Sequence, residues 1–193
     1  MTDERQPAGP TPFQKVLGGR RSIRRFLPTP VEPEKLRACL EAARIAPSAH
    51  NEQPWRFIVV DDPALKERLA AAAFSGFYSG SKFAAQAPVI LVLLAKPGRA
   101  VARLGSRIQG VPYYLIDMGI AGEHIVLQAE ELGLATCWMG WFNYGGARKV
   151  LRIPREFKLV ALMPLGYAAS RPRREPPRRA YDEIVASNKV PRE

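Results

Sequence analysis

Residues 113–132 read YYLIDMGIAGEHIVLQAEEL. Leu115, Ile116, Met118, Ile120, Ala121, Ile125, Val126, Leu127, Ala129 and Leu132 cover most of the circumference of a helix with 3.6 residues per turn. A helix apolar nearly all round must be covered on several sides. In a small domain that makes it either a central core helix or a subunit interface. Gly133 follows, the residue type best suited to the left-handed turn that ends a helix.

Outward from this helix, three short apolar runs bounded by turn residues read as strands: 57–60, 89–94 and 159–163. Their lack of polar alternation fits strands buried on both faces. A helix is expected over 33–46, with Pro33 at its first position, Glu34 at the positive end of its dipole, and Leu36, Leu40 and Ala43 on one face. Pro47 stops it. A second is expected over 63–73, after Asp62 as N-cap. This order of elements is α+β, with a small mixed sheet.

The chain has 193 residues, the length of one domain rather than two. With 47% hydrophobic and 24% charged residues it is neither disordered nor collagen-like. Cys39 and Cys137 lie in apolar stretches and read as buried thiols of a reducing compartment, so the cytoplasm is the expected location. Residues 1–12 lack the apolar segment of a signal peptide and read as a disordered arm. The longest apolar run, 89–95, is far short of the roughly 20 residues of a membrane helix. Lys and Arg number 29 against 18 Asp and Glu, a net charge of +11 that points to an anionic partner.

Four segments carry candidate chemistry. Arg20-Arg21-Ser22-Ile23-Arg24-Arg25-Phe26 packs guanidinium groups and a hydroxyl into one turn, which suits a phosphate, although taken alone such a segment reads more readily as a solvated charged face. Pro47-Ser48-Ala49-His50-Asn51-Glu52-Gln53-Pro54-Trp55 is a loop between helix and strand, either positioning a ligand or simply turning the chain. Gly133-Leu134-Ala135-Thr136-Cys137-Trp138-Met139-Gly140-Trp141-Phe142 has few side-chain donors. It reads by composition as a buried strand, and its ligand contacts would come from backbone N–H groups. Leu165-Gly166-Tyr167 leads into a proline-broken tail with Arg171, Arg173, Arg174, Arg178 and Arg179, an extended arm or a disordered basic tail.

The order of these four segments resembles the FMN-dependent nitroreductase family, over about residues 13–185. The resemblance implies a nitroreductase-like α+β sandwich with a mainly antiparallel sheet flanked by helices, in an intertwined homodimer with two FMN sites at its interface. It implies that Arg20, Arg21, Ser22 and Arg24 bind the phosphate, ribityl chain and pyrimidine edge of the flavin, with Arg24 tuning the ring. Pro47, Ser48, Ala49 and Asn51 would reach the same flavin from the other subunit; Ala49 stands where many relatives carry a hydroxyl. Backbone amides of Cys137, Trp138, Met139 and Gly140 would line the ring, one of them donating to N5. Arg178, with Arg179 beside it, matches the tail arginine that returns to the phosphate.

No side chain is expected to be a catalyst in itself, because the cofactor carries the redox chemistry. His124 reads as a packed residue and Trp55 as structural, while Phe74, Phe77, Tyr78, Trp138, Met139 and Trp141 are candidates for the pocket wall. The activity implied is ping-pong hydride transfer from NAD(P)H through flavin N5 to a nitroaromatic, quinone or activated alkene. The domain would span residues 13–170, and 171–193 would form a basic arm to the dimer or the FMN site. Two other classes stand beside this reading. One is a flavin-binding relative without turnover. The other is a basic module for nucleic acid or an acidic partner, against which stands the lack of any nucleic-acid reader motif.

Overall fold

Val89–Ala95 is a run of seven apolar residues, and every one is buried in the central strand β2. The computed structural model describes residues 9–97, 110–172 and 174–190. Residues 1–8 of the expected N-terminal arm and, in the basic arm, Arg173 and residues 191–193 lie outside the described residues. Strand β1 (Trp55–Val60) and strand β4 (Lys158–Gly166) flank β2, and the two-residue β3 (Ala135–Thr136) lies beyond β4, giving the order β1-β2-β4-β3. All three strand pairs are antiparallel, with Phe57 opposite Leu93 and Leu91 opposite Met163. The mixed character comes from a parallel bridge between Ser22 and Thr136 at the β3 edge.

Alternation along β2 divides the core into two layers. Val89, Leu91, Leu93 and Ala95 face Cys39 and Ala43 of helix α2 (Pro33–Arg44), and Met118, Ala121, Ile125 and Ala129 of helix α4 (Tyr113–Glu131). Ile90, Val92 and Leu94 face Leu69 and Ala73 of helix α3 (Pro63–Ala73), and Ala147 of helix α5 (Tyr144–Val150). The result is a helix–sheet–helix sandwich. The expectation of burial on both faces holds for β2 and not for β1. Only Trp55 and Val60 of β1 are fully buried, because β1 is an edge strand whose middle is incompletely covered.

Local signals act where expected. Asp62 accepts the Leu65 N–H at 2.7 Å and starts α3. Helix α2 stops at Arg44, two residues before the expected end, as the chain tightens ahead of Pro47 and the Ala46 N–H turns to Ala43. Gly133 takes φ +74°, so that the Leu134 N–H reaches back to the Ala129 carbonyl at 2.8 Å and closes α4. Helix α1 (Pro12–Gly19) opens on a capping box, with Thr11 Oγ1 accepting from Gln14 N and Gln14 Oε1 accepting from Thr11 N. A 3₁₀ segment, Gly76–Gln86, joins α3 to β2, and one turn of helix α6 (Tyr181–Ile184) lies in the tail. No described helix is long and apolar enough to cross a membrane.

Candidate functional site

The first arginine segment is an extended strip held by two apolar anchors. Ile23 and Phe26 are buried against Ala87 and Ala135. The Ile23 N–H donates to the Thr136 carbonyl at 2.9 Å, and the Leu27 N–H donates to Tyr167. Pinned in this way, the strip turns Ser22, Arg24 and Arg25 outward, all exposed. The Arg24 guanidinium lies 5.9 Å from the centre of the Phe83 ring, a cation–π contact with the 3₁₀ segment. Arg20 and Arg24 have no carboxylate partner among the described residues.

Arg21 behaves differently. Its Nη1 donates to the Gly18 and Arg20 carbonyls, closing the turn on itself, and its Nη2 meets Glu175 of the tail at 3.0 Å. Its Nε is buried, and among the described residues it has no acceptor.

Thr136, bridged to Ser22, joins this strip to the third segment. Met139 pairs with Leu162 in both directions, N to O at 3.0 Å and O to N at 3.1 Å, so its amide is committed to the sheet. Alternation then turns the N–H groups of Trp138 and Gly140 to the opposite edge, and among the described residues they make no backbone hydrogen bond. Cys137 is buried. Burial pushes its thiol up, while Arg24 and Arg20 lie near enough to pull it partly back. Trp138 lies on α4 at Gly122, with Nε1 donating to Glu123 at 3.3 Å. Trp141 is fixed by Ser81 Oγ, which donates to its carbonyl at 2.8 Å, and by its own Nε1 donating to Phe77 O, beside the Tyr78 ring. The 3₁₀ segment therefore touches both the arginine strip and this strand, and together they make one wall.

The Ser48–Gln53 loop is a strained turn. His50, Asn51 and Gln53 all adopt left-handed φ angles, of 51°, 53° and 46°. Ser48 Oγ accepts from Gln53 N at 2.9 Å, and Gln53 Nε2 donates to Asn51 Oδ1 at 3.0 Å. The Ala49 N–H donates to Oδ1 of Asp117, a residue of α4 that is only 4% exposed. Burial raises the Asp117 carboxyl, the Ala49 N–H lowers it, and Glu52 raises it further. Pro47, His50 and Asn51 are exposed.

Within one chain the loop and the arginine strip are far apart. The loop sits at the Asp117 end of α4. The strip sits at the other end, where Arg171 joins Gly19 O to Glu130. At 1.5 Å per residue the two ends are about 20 Å apart along α4. The structure thus joins the first, third and fourth segments and leaves the second at a distance. Arg178 and Arg179 are exposed in an extended stretch shortly after Glu175, whose bond to Arg21 brings the arm to the strip. His124 packs as expected, with Nδ1 2.9 Å from the Ala42 carbonyl. Reading the sequence missed Asp117 and Phe83. Asp117 stands out only as an acid on the apolar side of a helix, and nothing local marks Phe83.

The sequence profile of the nitroreductase family matches residues 17–167. The chain belongs to the nitroreductase family. It is therefore an oxidoreductase. Like this nitroreductase-family chain is an NADH dehydrogenase of Thermus thermophilus, 36% identical over 176 residues, an alignment covering 78% of this chain and 83% of that protein. A nitroreductase family protein from Clostridium novyi NT shares the fold with a TM-score of 0.74 at 34% identity, over 86% of this chain and 89% of its own. An FMN-dependent nitroreductase from Clostridium difficile R20291 does so with a TM-score of 0.73 at 28% identity, over 91% and 98% of the two chains. The α+β sandwich of the nitroreductase family is the fold observed.

Proposed function

We propose that this nitroreductase-family protein is a dimeric FMN oxidoreductase that uses NAD(P)H to reduce an electron-poor small molecule. The observation that carries the reading is the single wall made by Arg20, Arg24, Phe83 and residues 138–140, which sets cations without a carboxylate among the described residues beside outward N–H groups. The residues present fit a flavin phosphate. Among the described residues, two guanidinium groups lack a carboxylate and a third holds a buried Nε without an acceptor, an arrangement that favours an anion.

Arg20, Arg21, Ser22 and Arg24 would hold the phosphate, ribityl chain and pyrimidine edge, with Arg178 or Arg179 arriving on the arm of residues 171–193. FMN bound there would supply the redox chemistry, accepting a hydride from NAD(P)H at N5 and passing the two electrons on to a nitroaromatic, quinone or activated alkene. The protein's part is to bind, orient and exclude water. Arg24 would set a positive charge beside the ring and so favour its anionic reduced form. Trp138 or Gly140 can donate an N–H to a ring nitrogen, whereas Met139, already bonded to Leu162, is not free to do so. Cys137 and Met139, buried beneath, keep the floor apolar.

Pro47, Ser48, Ala49 and Asn51 would belong to the site of the partner. An antiparallel pair of α4 helices about a two-fold axis brings the Asp117 end of one against the Glu130 end of the other. Leu115 and Ile116, 43% and 49% exposed on α4, support such a contact. A groove of about 540 Å³, lined by Phe13, Val16, Ile45 and Leu127, extends the apolar surface. The body from residue 13 to 170 would act as one domain, and two buried free thiols suit the cytoplasm.

The test is to purify the protein, strip it, add FMN, and mix the complex anaerobically with NADH or NADPH. Binding of FMN and bleaching of its absorbance by one nicotinamide is the expected result. A protein that binds no FMN ends the proposal.

A further inference from the structure

We propose that Asp117 is the positioning residue of the cofactor loop: from the buried face of α4 its carboxylate fixes the Ala49 N–H, and thereby the Ser48–Gln53 turn that presents Ser48, Ala49 and Asn51 to the flavin of the partner subunit. The inference rests on the function proposed above and adds a residue to it that the sequence motifs do not contain.

The turn carries three non-glycine residues in the left-handed region, where a side chain crowds its own backbone. It persists only where its surroundings over-determine it. Most of the bonds that hold it are internal: Asn51 N to Ser48 O at 3.0 Å, Glu52 N to Ala49 O at 3.1 Å, and the Ser48 and Gln53 side-chain bonds. Such bonds shape the turn without fixing where it sits. Arg56 of β1 holds the far end of the turn, its Nη1 donating to the Gln53 carbonyl at 3.3 Å, and the bond from Ala49 N to Asp117 Oδ1 at 3.0 Å ties the near end to the buried face of α4.

The choice of residue is informative. An acid in the buried stretch of an apolar helix is unfavourable, and its burial raises its carboxyl. Packing alone would favour an aliphatic residue here. The N–H bonded to the carboxylate offsets part of that cost, because a charge-assisted bond is short and directional. What it holds is outward-facing: His50 and Asn51 are exposed, and among the described residues the Asn51 side chain meets only Gln53. A buried acid thus anchors a strained turn whose Asn51 side chain, among the described residues, makes no hydrogen bond outside the turn.

The test compares the full protein with Asp117→Ala, Asp117→Asn and Ala49→Pro. Asparagine keeps an acceptor oxygen for the Ala49 N–H. Proline at 49 removes the N–H, and the extended Ser48 before it, at φ −145° and ψ 155°, accepts a following proline. FMN is titrated into each stripped protein by fluorescence, and exchange of the Ala49 amide is followed in the three chains that carry it. Asp117→Ala and Ala49→Pro are each expected to weaken FMN binding about tenfold, the scale of one hydrogen bond to a charged group. Asp117→Asn is expected to stay within about threefold of the parent, with the Ala49 amide still protected. Equal FMN affinity in Asp117→Ala and the parent overturns the proposal; if that variant does not fold, equal affinity in Ala49→Pro overturns it. Failure of the parent itself to bind FMN is the separate failure of the proposed function.

Discussion

At Gly122 the buried face of α4 has no side chain because the Trp138 indole occupies the space. A Cβ placed there would fall inside the van der Waals surface of the ring, against Cη2 and Cζ2, with Leu93 close behind. Gly122→Ala gains up to about 1 kcal/mol of helix propensity. It also displaces an indole whose Nε1 is held by Glu123, an overpacking cost of about 1–3 kcal/mol. Urea unfolding should therefore show a net loss of stability, and Gly122→Ala combined with Trp138→Leu should recover part of it. A second prediction at this scale concerns Arg24. Arg24→Ala removes a guanidinium that has no carboxylate partner among the described residues, so the fold should be nearly unaffected while FMN binds about tenfold more weakly. Calorimetric titration against a melting curve separates the two effects. The arginine strip and the Ser48–Asn51 loop were legible in the sequence because each is contiguous. Asp117 was not, since its partner Ala49 lies 68 residues away and no local pattern joins them.

Between elements, the best-defined polar junction ties the start of α2 to the end of β4. The Tyr167 hydroxyl donates to Glu32 at 2.6 Å, and Lys35 Nζ donates to Tyr167 at 2.7 Å and to Glu32 at 3.0 Å. The Tyr167 hydroxyl, then a backbone N–H, then Lys35 hold the Glu32 carboxyl down at about 2, against 4.5 when unfolded. A depressed carboxyl stabilises the fold above its unfolded value, and that contribution is lost as pH falls from about 4.5 to 2. Glu32→Gln should therefore melt below the parent near pH 6, and the gap should close across that acid window. Asp117 has the opposite sign: its raised carboxyl is a cost at neutral pH that disappears in acid. The elements themselves were mostly readable. β2, α3 and α4 follow from apolar runs, a cap and a glycine. Helix α1 escaped notice because it buries none of its residues, and its Thr11–Gln14 box is its main signal. The half-covered state of β1 depends on strand order, which apolarity does not encode.

For the whole molecule, the distribution of apolar surface and the spacing of the binding segments point the same way. Leu115 and Ile116 are exposed on α4, and the loop and strip that would share one flavin stand at opposite ends of that helix. An isologous pairing along α4 would cover the first and unite the second. A charge within that contact would be desolvated without a partner, at a cost of several kcal/mol per subunit. Ile116→Glu should therefore shift the protein from dimer to monomer in sedimentation. The same variant should lose FMN affinity by at least about tenfold, although Arg20, Arg24, Ser48 and Asn51 are untouched. The coupling of the two losses is the point at issue. If FMN were held by one chain alone, monomers would retain it at parental affinity. A parent that sediments as a monomer, or a monomeric Ile116→Glu that binds FMN undiminished, would separate binding from assembly and refute the shared site.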